Sequence, residues 1–394
     1  MTDQFTIENG LLRAGSSLTV PVIVGDGVGP DIWRAAEPVL MEAAKKGERT
    51  LSFFKVSAGE ESFKERGEPL PTETLQALRD YRVSLKGPLS TPVGGGLRSL
   101  NVTIRQALDL YACVRPVKWI DGSPSPVKKP EKINMVIFRE NTEDVYSGFE
   151  WPSKSEQAKK LIKFLEDSLG VELSPEAAIG LKPMTEKASK KLIRLAITQA
   201  LAEGRPSVTL VHKGNIMKHT EGAFKTWGLE VAREEFKDKT IEESEVKGET
   251  DKLIIKDRIA DNMFMQSILK PEEYSVLAMP NLNGDYLSDA LAGQIGGLGL
   301  APGANVGDQM AVFEATHGTA PNHAGKDLVN PSSLILSAAM LFDFVGWEKE
   351  AASIRLAIEK TIKEGIMTYD LARQLGQNKS VACSEFGRAV AKRV

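Results

Sequence analysis

Strand-length apolar runs alternate with segments of helical period along almost the whole chain, and no other feature narrows the fold as much. Residues 18–24 (LTVPVIV) read as a buried strand, GDGVGP follows at 25–30, and a helix runs over about 31–46 with Pro30 placed to open it. Further strand-length runs fall at 52–56, 82–85, 132–138, 207–211 and 274–279. Helical periodicity lies between and beyond them, at 71–80, 155–169, 186–202, 220–236, 259–269, 331–345 and 349–364. Strands alternating with helices predict an α/β protein. With 394 residues the chain exceeds what one core usually serves, so two domains or one elaborated domain are expected.

Composition removes several functional classes. Lys and Arg number 50 against 53 Asp and Glu, a net charge of −3, so a nucleic-acid partner is not expected. Two cysteines, Cys113 and Cys383, cannot build a disulfide framework and point to a reducing compartment. The four histidines form no HExxH or Cys/His cluster, so any metal would be held by carboxylates. The N-terminus has no signal-peptide pattern, and the apolar stretch 334–345 is far shorter than the ~20 residues of a membrane span. A soluble, cytoplasmic protein is expected.

Several segments carry candidate chemistry. GDGVGP lies between a strand and a helix, but its spacing is one residue short of G-x-G-x-x-G, so the dinucleotide fingerprint fails and a tight strand-to-helix turn is the other reading. In residues 86–106 a Pro/Gly-punctuated loop leads to Ser99, Asn101 and Arg105 at a helix start. That arrangement suits an anion receiver, or simply a helix capped by Ser99. Arg115 and Arg139, the latter directly after an apolar strand, complete three arginines that suit a ligand with several carboxylates; surface salt bridges are the alternative. Asp285 and Asp289 lie four apart, on one face if helical, with Asp261 a third hard-oxygen donor for Mg²⁺ or Mn²⁺; Asp285 as a helix cap and Asp289 as a solvated side chain are the plainer reading. His317 sits between a strand and a Gly-Thr-Ala-Pro turn that could hold a nucleotide, or is a loop histidine bonded to backbone. The charged run 237–251 is expected to be a solvated loop, 121–132 a loop between strands, and the glycine-rich block 293–307 part of a site.

Taken together, GDGVGP, KGPLSTPVGGGLRSLNVTIRQ, FRENTEDVYSG, VHKGNIMK, NLNGDYLSDA, GLAPGAN and EATHGTAP closely resemble the metal-dependent β-decarboxylating dehydrogenases of the isocitrate/isopropylmalate family, and within it the bacterial homodimeric NADP-type isocitrate enzymes. The resemblance implies a fold distinct from Rossmann, with a large coenzyme-side domain from 1–110 and 296–394. A small domain from 111–143 and 186–295 and a dimerising clasp at 144–185 would complete it. It implies that Ser99, Asn101, Arg105, Arg115 and Arg139 bind isocitrate. Asp285 and Asp289 would hold the metal with the partner subunit's Asp261, and Tyr146 and the partner subunit's Lys213 would handle protons. For NADP it implies Thr91, Glu314, His317, Gly318, Thr319, Ala320, Asn322, His323, Asn330, Tyr369 and Arg373, with Lys270 from the partner subunit. The polar pattern at Ser99, Asn101 and Arg105 favours isocitrate over an alkyl-bearing acid such as isopropylmalate; homoisocitrate is a further relative. Asn322-His323 replaces the Lys-Tyr usual in NADP enzymes, yet no acid takes the lysine's place, so NADP is expected over NAD. The resemblance also suggests Ser99 as a target of a regulatory kinase.

Overall fold

The computed structural model describes residues 4–8, 11–90 and 99–394. Among the described residues the strands lie, in chain order, at β1 Phe5–Glu8, β2 Leu11–Ala14, β3 Ser17–Ile23, β4 Thr50–Lys55, β5 Val83–Lys86, β6 Ala112–Lys118, β7 Asn134–Glu140 and β8 Glu150–Trp151. The rest are β9 Ile179–Gly180, β10 Ser207–His212, β11 Thr240–Glu242, β12 Leu253–Ile259, β13 Val276–Met279, β14 Pro302–Val306 and β15 Ala311–Ala315. Eleven of them form one sheet, in the order β11-β12-β10-β13-β7-β6-β14-β15-β5-β3-β4. The five strands from β11 to β7 pair in parallel, as do the four from β15 to β4. Between them β6 and β14 run antiparallel to each neighbour, so the two parallel blocks point in opposite directions. The α/β expectation holds, and the sheet is not a Rossmann sheet.

Three expectations need correction. The apolar run at 132–138 becomes a strand that reaches Glu140, so Arg139 lies inside β7 rather than after it. The strand continues because β6 pairs with it through Ala112↔Glu140, and a neighbour's hydrogen bonds outrank the loss of apolar side chains. Residues 237–251 are not all loop, since Thr240–Glu242 adds the edge strand β11 beside β12. The helix expected from residue 259 begins at Ala260, Ile259 being the last residue of β12.

Packing explains the most apolar helix. Ser332–Phe344 is buried nearly all round, between β14, β15 and the helices Gly29–Lys46 and Glu348–Lys363. Its serines are not idle there: Ser337 donates to the Glu314 carbonyl at 2.8 Å and accepts from the Gly303 amide at 3.1 Å. The helix thereby fixes β14 and β15 at the centre of the sheet, where polar side chains gather.

The GDGVGP turn is a packing device. Gly25 (φ +88°) and Gly27 (φ +59°) both need the left-handed region. A Cβ on Gly25 would lie 2.4 Å from the Pro88 carbonyl oxygen, and one on Gly27 would lie 2.1 Å from that of Thr319. The Val28 amide donates to the same Thr319 oxygen at 3.0 Å, so the turn clamps the loop after β15.

Candidate active site

Side chains alternate faces along a strand, so sheet register decides which polar groups meet. Cys113 on β6 is opposite Arg139 on β7 and Asn305 on β14, and Arg115 is two residues along from Cys113. Gly303, two from Asn305, is opposite Glu314, which is opposite Lys86. One face of the antiparallel join therefore carries Arg139, Arg115, Asn305, Glu314 and Lys86. All five are buried.

Charges of both signs close over this stripe. Glu314 accepts from Lys86 at 2.8 Å, Arg105 at 3.1 Å and Asn305 at 2.7 Å. Burial alone would raise its pKa, but Lys86 and Arg105 hold the carboxyl far below its usual range. The helix Asn281–Gln294 lays its own acids alongside. Arg139 donates to Asn281 Oδ1 at 2.8 Å and to Asp285. Arg115 donates to Ser288 at 2.6 Å and to Asp289 at 3.1 Å. Asp285 and Asp289 thus share one helix face, inside the helix, and Pro280 rather than Asp285 is its N-cap. Gly284 lets the helix approach: a Cβ there would lie 2.6 Å from the Arg139 side chain.

Tyr146 joins the same group. Its hydroxyl donates to Asp285, and the Arg139 guanidinium lies 4.8 Å from its ring centroid. Burial, reinforced by the Asp285 acceptor, pushes the phenol up to about 12. Burial would raise Asp285 too, but Arg139 and Tyr146 outweigh it and hold that carboxyl below its usual range. At neutral pH the pair is a protonated phenol on an ionised carboxylate.

Ser99 and Asn101 sit where expected, at the start of the helix Leu100–Ala107 that carries Arg105. Ser99 occupies the N-cap position, yet its side chain makes no capping bond. Among the described residues, buried side-chain atoms without a hydrogen-bond partner include Arg105 Nε, Arg115 Nε and Asn101 Oδ1. An unmatched buried donor costs about 1–3 kcal/mol, so such groups mark a place built for a ligand or for strain.

Other candidates lie apart from this group. Lys213 donates to Asp261 at 2.6 Å. Among the described residues no three metal-type side chains cluster, so Asp261 does not join Asp285 and Asp289 within one chain. Thr91 lies outside the described residues. His317 donates from Nδ1 to the Gly318 carbonyl at 3.0 Å, and burial lowers its pKa, so the ring is neutral at pH 7. Thr319 takes the Val28 amide as above, and Ala320, at φ +40°, turns the chain into the short helix Pro321–His323 that contains Asn322. The His323 ring faces that of Tyr369 at 5.5 Å, Asn330 donates to Asp370 at 3.2 Å, and Arg373 is exposed. Lys270 is exposed and paired with Glu273 at 3.1 Å.

Sequence reasoning passed over Lys86, Asn281, Ser288 and Asn305. Lys86 ends a strand whose apolar run stops at Leu85, and the others are neutral polar residues with no spacing signal of their own.

Comparisons with known proteins place the chain in a family. The family model described as isocitrate/isopropylmalate dehydrogenase matches residues 19–390. The chain is 53% identical to "Isocitrate dehydrogenase [NADP]" of Archaeoglobus fulgidus, over 98% of this chain and 95% of that one. It is 51% identical to the protein of the same name in Pseudomonas aeruginosa, over 98% and 96%. A crystal structure of isocitrate dehydrogenase from Methylococcus capsulatus superposes with a TM-score of 0.81 at 38% identity, covering 95% of this chain and 99% of that one. The match over nearly the whole chain sets the class, a dehydrogenase. The chain belongs to the isocitrate/isopropylmalate dehydrogenase family.

Proposed function

We propose that this protein oxidises isocitrate to 2-oxoglutarate and CO₂ with reduction of NADP, in an active site shared between two copies of the chain. The observation that carries this reading is the pairing of Arg115 with Asp289 and of Arg139 with Asp285, with Tyr146 on Asp285 and Arg105 beside them on Glu314. Three buried guanidiniums suit a tricarboxylate. The orphan Nε donors of Arg105 and Arg115, with Ser99 and Asn101, supply further bonds to it. The names of the relatives support isocitrate and NADP as the pair.

The aspartates fit a divalent cation, being hard oxygen donors on one helix face. Asp285 and Asp289, with the partner subunit's Asp261, would hold Mg²⁺ or Mn²⁺, which when bound polarises the substrate's hydroxyl and carbonyl oxygens. Thr91, Glu314, His317, Gly318, Thr319, Ala320, Asn322, His323, Asn330, Tyr369 and Arg373, with the partner subunit's Lys270, would hold NADP, which would supply the acceptor for the hydride of C2. The arginines hold the carboxylates and orient C2. The partner subunit's Lys213, or a water or aspartate it governs, helps remove the hydroxyl proton as the hydride leaves. When the bond from C3 to its carboxylate breaks, the electron pair left on C3 takes the proton of the Tyr146 hydroxyl, which Asp285 aims and which the raised pKa keeps in place.

The shared site accounts for apolar surface. Met265, Ile268 and Leu269 on the helix Ala260–Leu269, and Phe149, Val171, Leu173 and Leu181 around the β8–β9 hairpin, are exposed. A homodimer would cover them, with 144–185 as the clasp. The antiparallel join of β6 and β14 supports a boundary between a domain of 1–110 and 296–394 and one of 111–143 and 186–295. Among the described residues no helix is long and apolar enough to cross a membrane, and a cytoplasmic site of action fits two buried free cysteines. A phosphate placed on Ser99 by a kinase would repel the substrate carboxylate; Ser99→Asp is expected to abolish isocitrate binding while leaving NADP binding intact, and equal loss of both would contradict this.

Mixed dimers test the shared site. Tyr146→Phe and Lys213→Met homodimers are expected to be nearly inactive. A dimer with one subunit of each kind places both lesions in one site and leaves the other intact, so about half the activity returns. No recovery in the mixed dimer would contradict the reading.

A further inference from the structure

We infer that Lys182 is a positioning residue that ties together the two proton-handling arms of one chain, and so governs a step in both active sites of the dimer. The inference rests on the shared-site reading above. The Lys182 side chain is 17% exposed, and its Nζ lies 2.5 Å from Asp144 Oδ1 and 3.0 Å from Glu221 Oε1. Both carboxylates are buried, and each has a second task.

Asp144 opens the short helix Asp144–Ser147, which carries Tyr146, and holds a positive φ of 70° there. Its other oxygen accepts the Leu282 amide at 3.0 Å, in the first turn of the helix that bears Asp285 and Asp289. Its amide donates to the Pro183 carbonyl at 3.0 Å, and the Thr185 amide donates to Glu143 at 2.8 Å. The strand of chain around Lys182 is thus stitched to the turn around Tyr146. On the other side, Glu221 Oε2 accepts the backbone amide of Lys213, and the Asn283 side chain donates to the same oxygen at 2.8 Å. One ammonium therefore stands between the carboxylate that sets the Tyr146 turn and the carboxylate that sets the Lys213 backbone.

Removing that cation leaves two buried carboxylates facing each other unpaired. Neither their charge nor their orientation would persist, because a buried charge without a partner is strongly unfavourable and like charges repel. Both arms would lose their anchor. Tyr146 serves the site of its own chain and Lys213 that of the partner, so a single Lys182 reaches two sites. The substrate's arginine contacts lie elsewhere, on β6, β7 and the helix Leu100–Ala107.

The test uses the intact dimer. Lys182→Met is expected to lower kcat for isocitrate at least tenfold while KM for isocitrate stays within about threefold, and Lys182→Arg to restore kcat to within about threefold of wild type. An unchanged kcat, or a KM that rises in step with the loss, overturns the inference. If Lys182→Met does not assemble, Glu221→Gln, which keeps an oxygen for the Lys213 amide but loses the ion pair, is expected to show the same split. Hybrids of wild-type and Lys182→Met subunits give the distinguishing result. A lesion confined to one site leaves half of the wild-type kcat, whereas a lesion in both is expected to leave a third or less; more than a third overturns the inference. Recovery in the Tyr146→Phe with Lys213→Met hybrid reads the shared site without involving Lys182, so the two ideas fail separately.

Discussion

Arg115 is buried, its Nη1 bonds both Ser288 and Asp289, and among the described residues its Nε has no partner. Losing a buried charge-assisted contact to a substrate carboxylate costs about 2–5 kcal/mol. Arg115→Met is therefore expected to raise KM for isocitrate by about 30-fold or more with KM for NADP nearly unchanged, as steady-state kinetics would show. Glu143 offers a pH-dependent readout. Burial pushes its carboxyl up to about 7 against an ordinary 4.5. Folding takes up a proton between those values, so stability falls as pH rises from 4.5 to 7 and the ionised group is a penalty above that window. Glu143→Gln, which keeps an acceptor for the Thr185 amide, is expected to match wild type in Tm at acid pH and exceed it at pH 8; an equal Tm at both would contradict this. At this scale the Asp285–Asp289 pair was legible, because i,i+4 spacing is a local signal; the arginines stood out as charges beside apolar runs, although Arg115 and Arg139 lie inside strands rather than at their ends. Lys86 was not, since a buried lysine at a strand end looks in sequence like the end of the strand.

The helix Asn281–Gln294 sets the distance between metal-type carboxylates and substrate-type arginines. Gly284 is its one close approach. Gly284→Ala favours the helix by up to about 1 kcal/mol in propensity but pushes against the Arg139 side chain. KM for isocitrate is expected to rise at least tenfold without loss of secondary structure by circular dichroism, and an unchanged KM would show that the approach does not matter. Most long amphipathic helices could be read from their period. The strands β11, β12 and β14 could not, because the apolar residues of β12 (LIIKDRI) are interrupted by three charges, those of β14 (PGANV) are few, and all three strands exist through pairing with distant neighbours. Arg139 shows the same limit, since only the register with β6 places it inside a strand.

For the whole molecule, sheet order was invisible in sequence: β6 and β14 meet across nearly two hundred residues and reverse the sheet's direction where the polar stripe forms. The motif resemblance carried that information indirectly, and the turn at Gly25 agreed by failing the dinucleotide spacing. The proposed dimer rests on surface as much as on the site. Ile268 is exposed on the same helix as Asp261. Ile268→Glu is expected to give a folded monomer by light scattering that is inactive because each site lacks the partner's Lys213 and Asp261; an active monomer would refute the shared arrangement. The central claim is that the chain turns over isocitrate with NADP. Its most direct test is steady-state kinetics of the purified protein with isocitrate, homoisocitrate and isopropylmalate, each with NADP and NAD, with Mn²⁺ and with a chelator. The account requires 2-oxoglutarate and NADPH in equal amounts from isocitrate, a kcat/KM for NADP more than about tenfold that for NAD, and loss of turnover with the chelator. A preference for NAD, for either other acid, or for the chelated enzyme would contradict it.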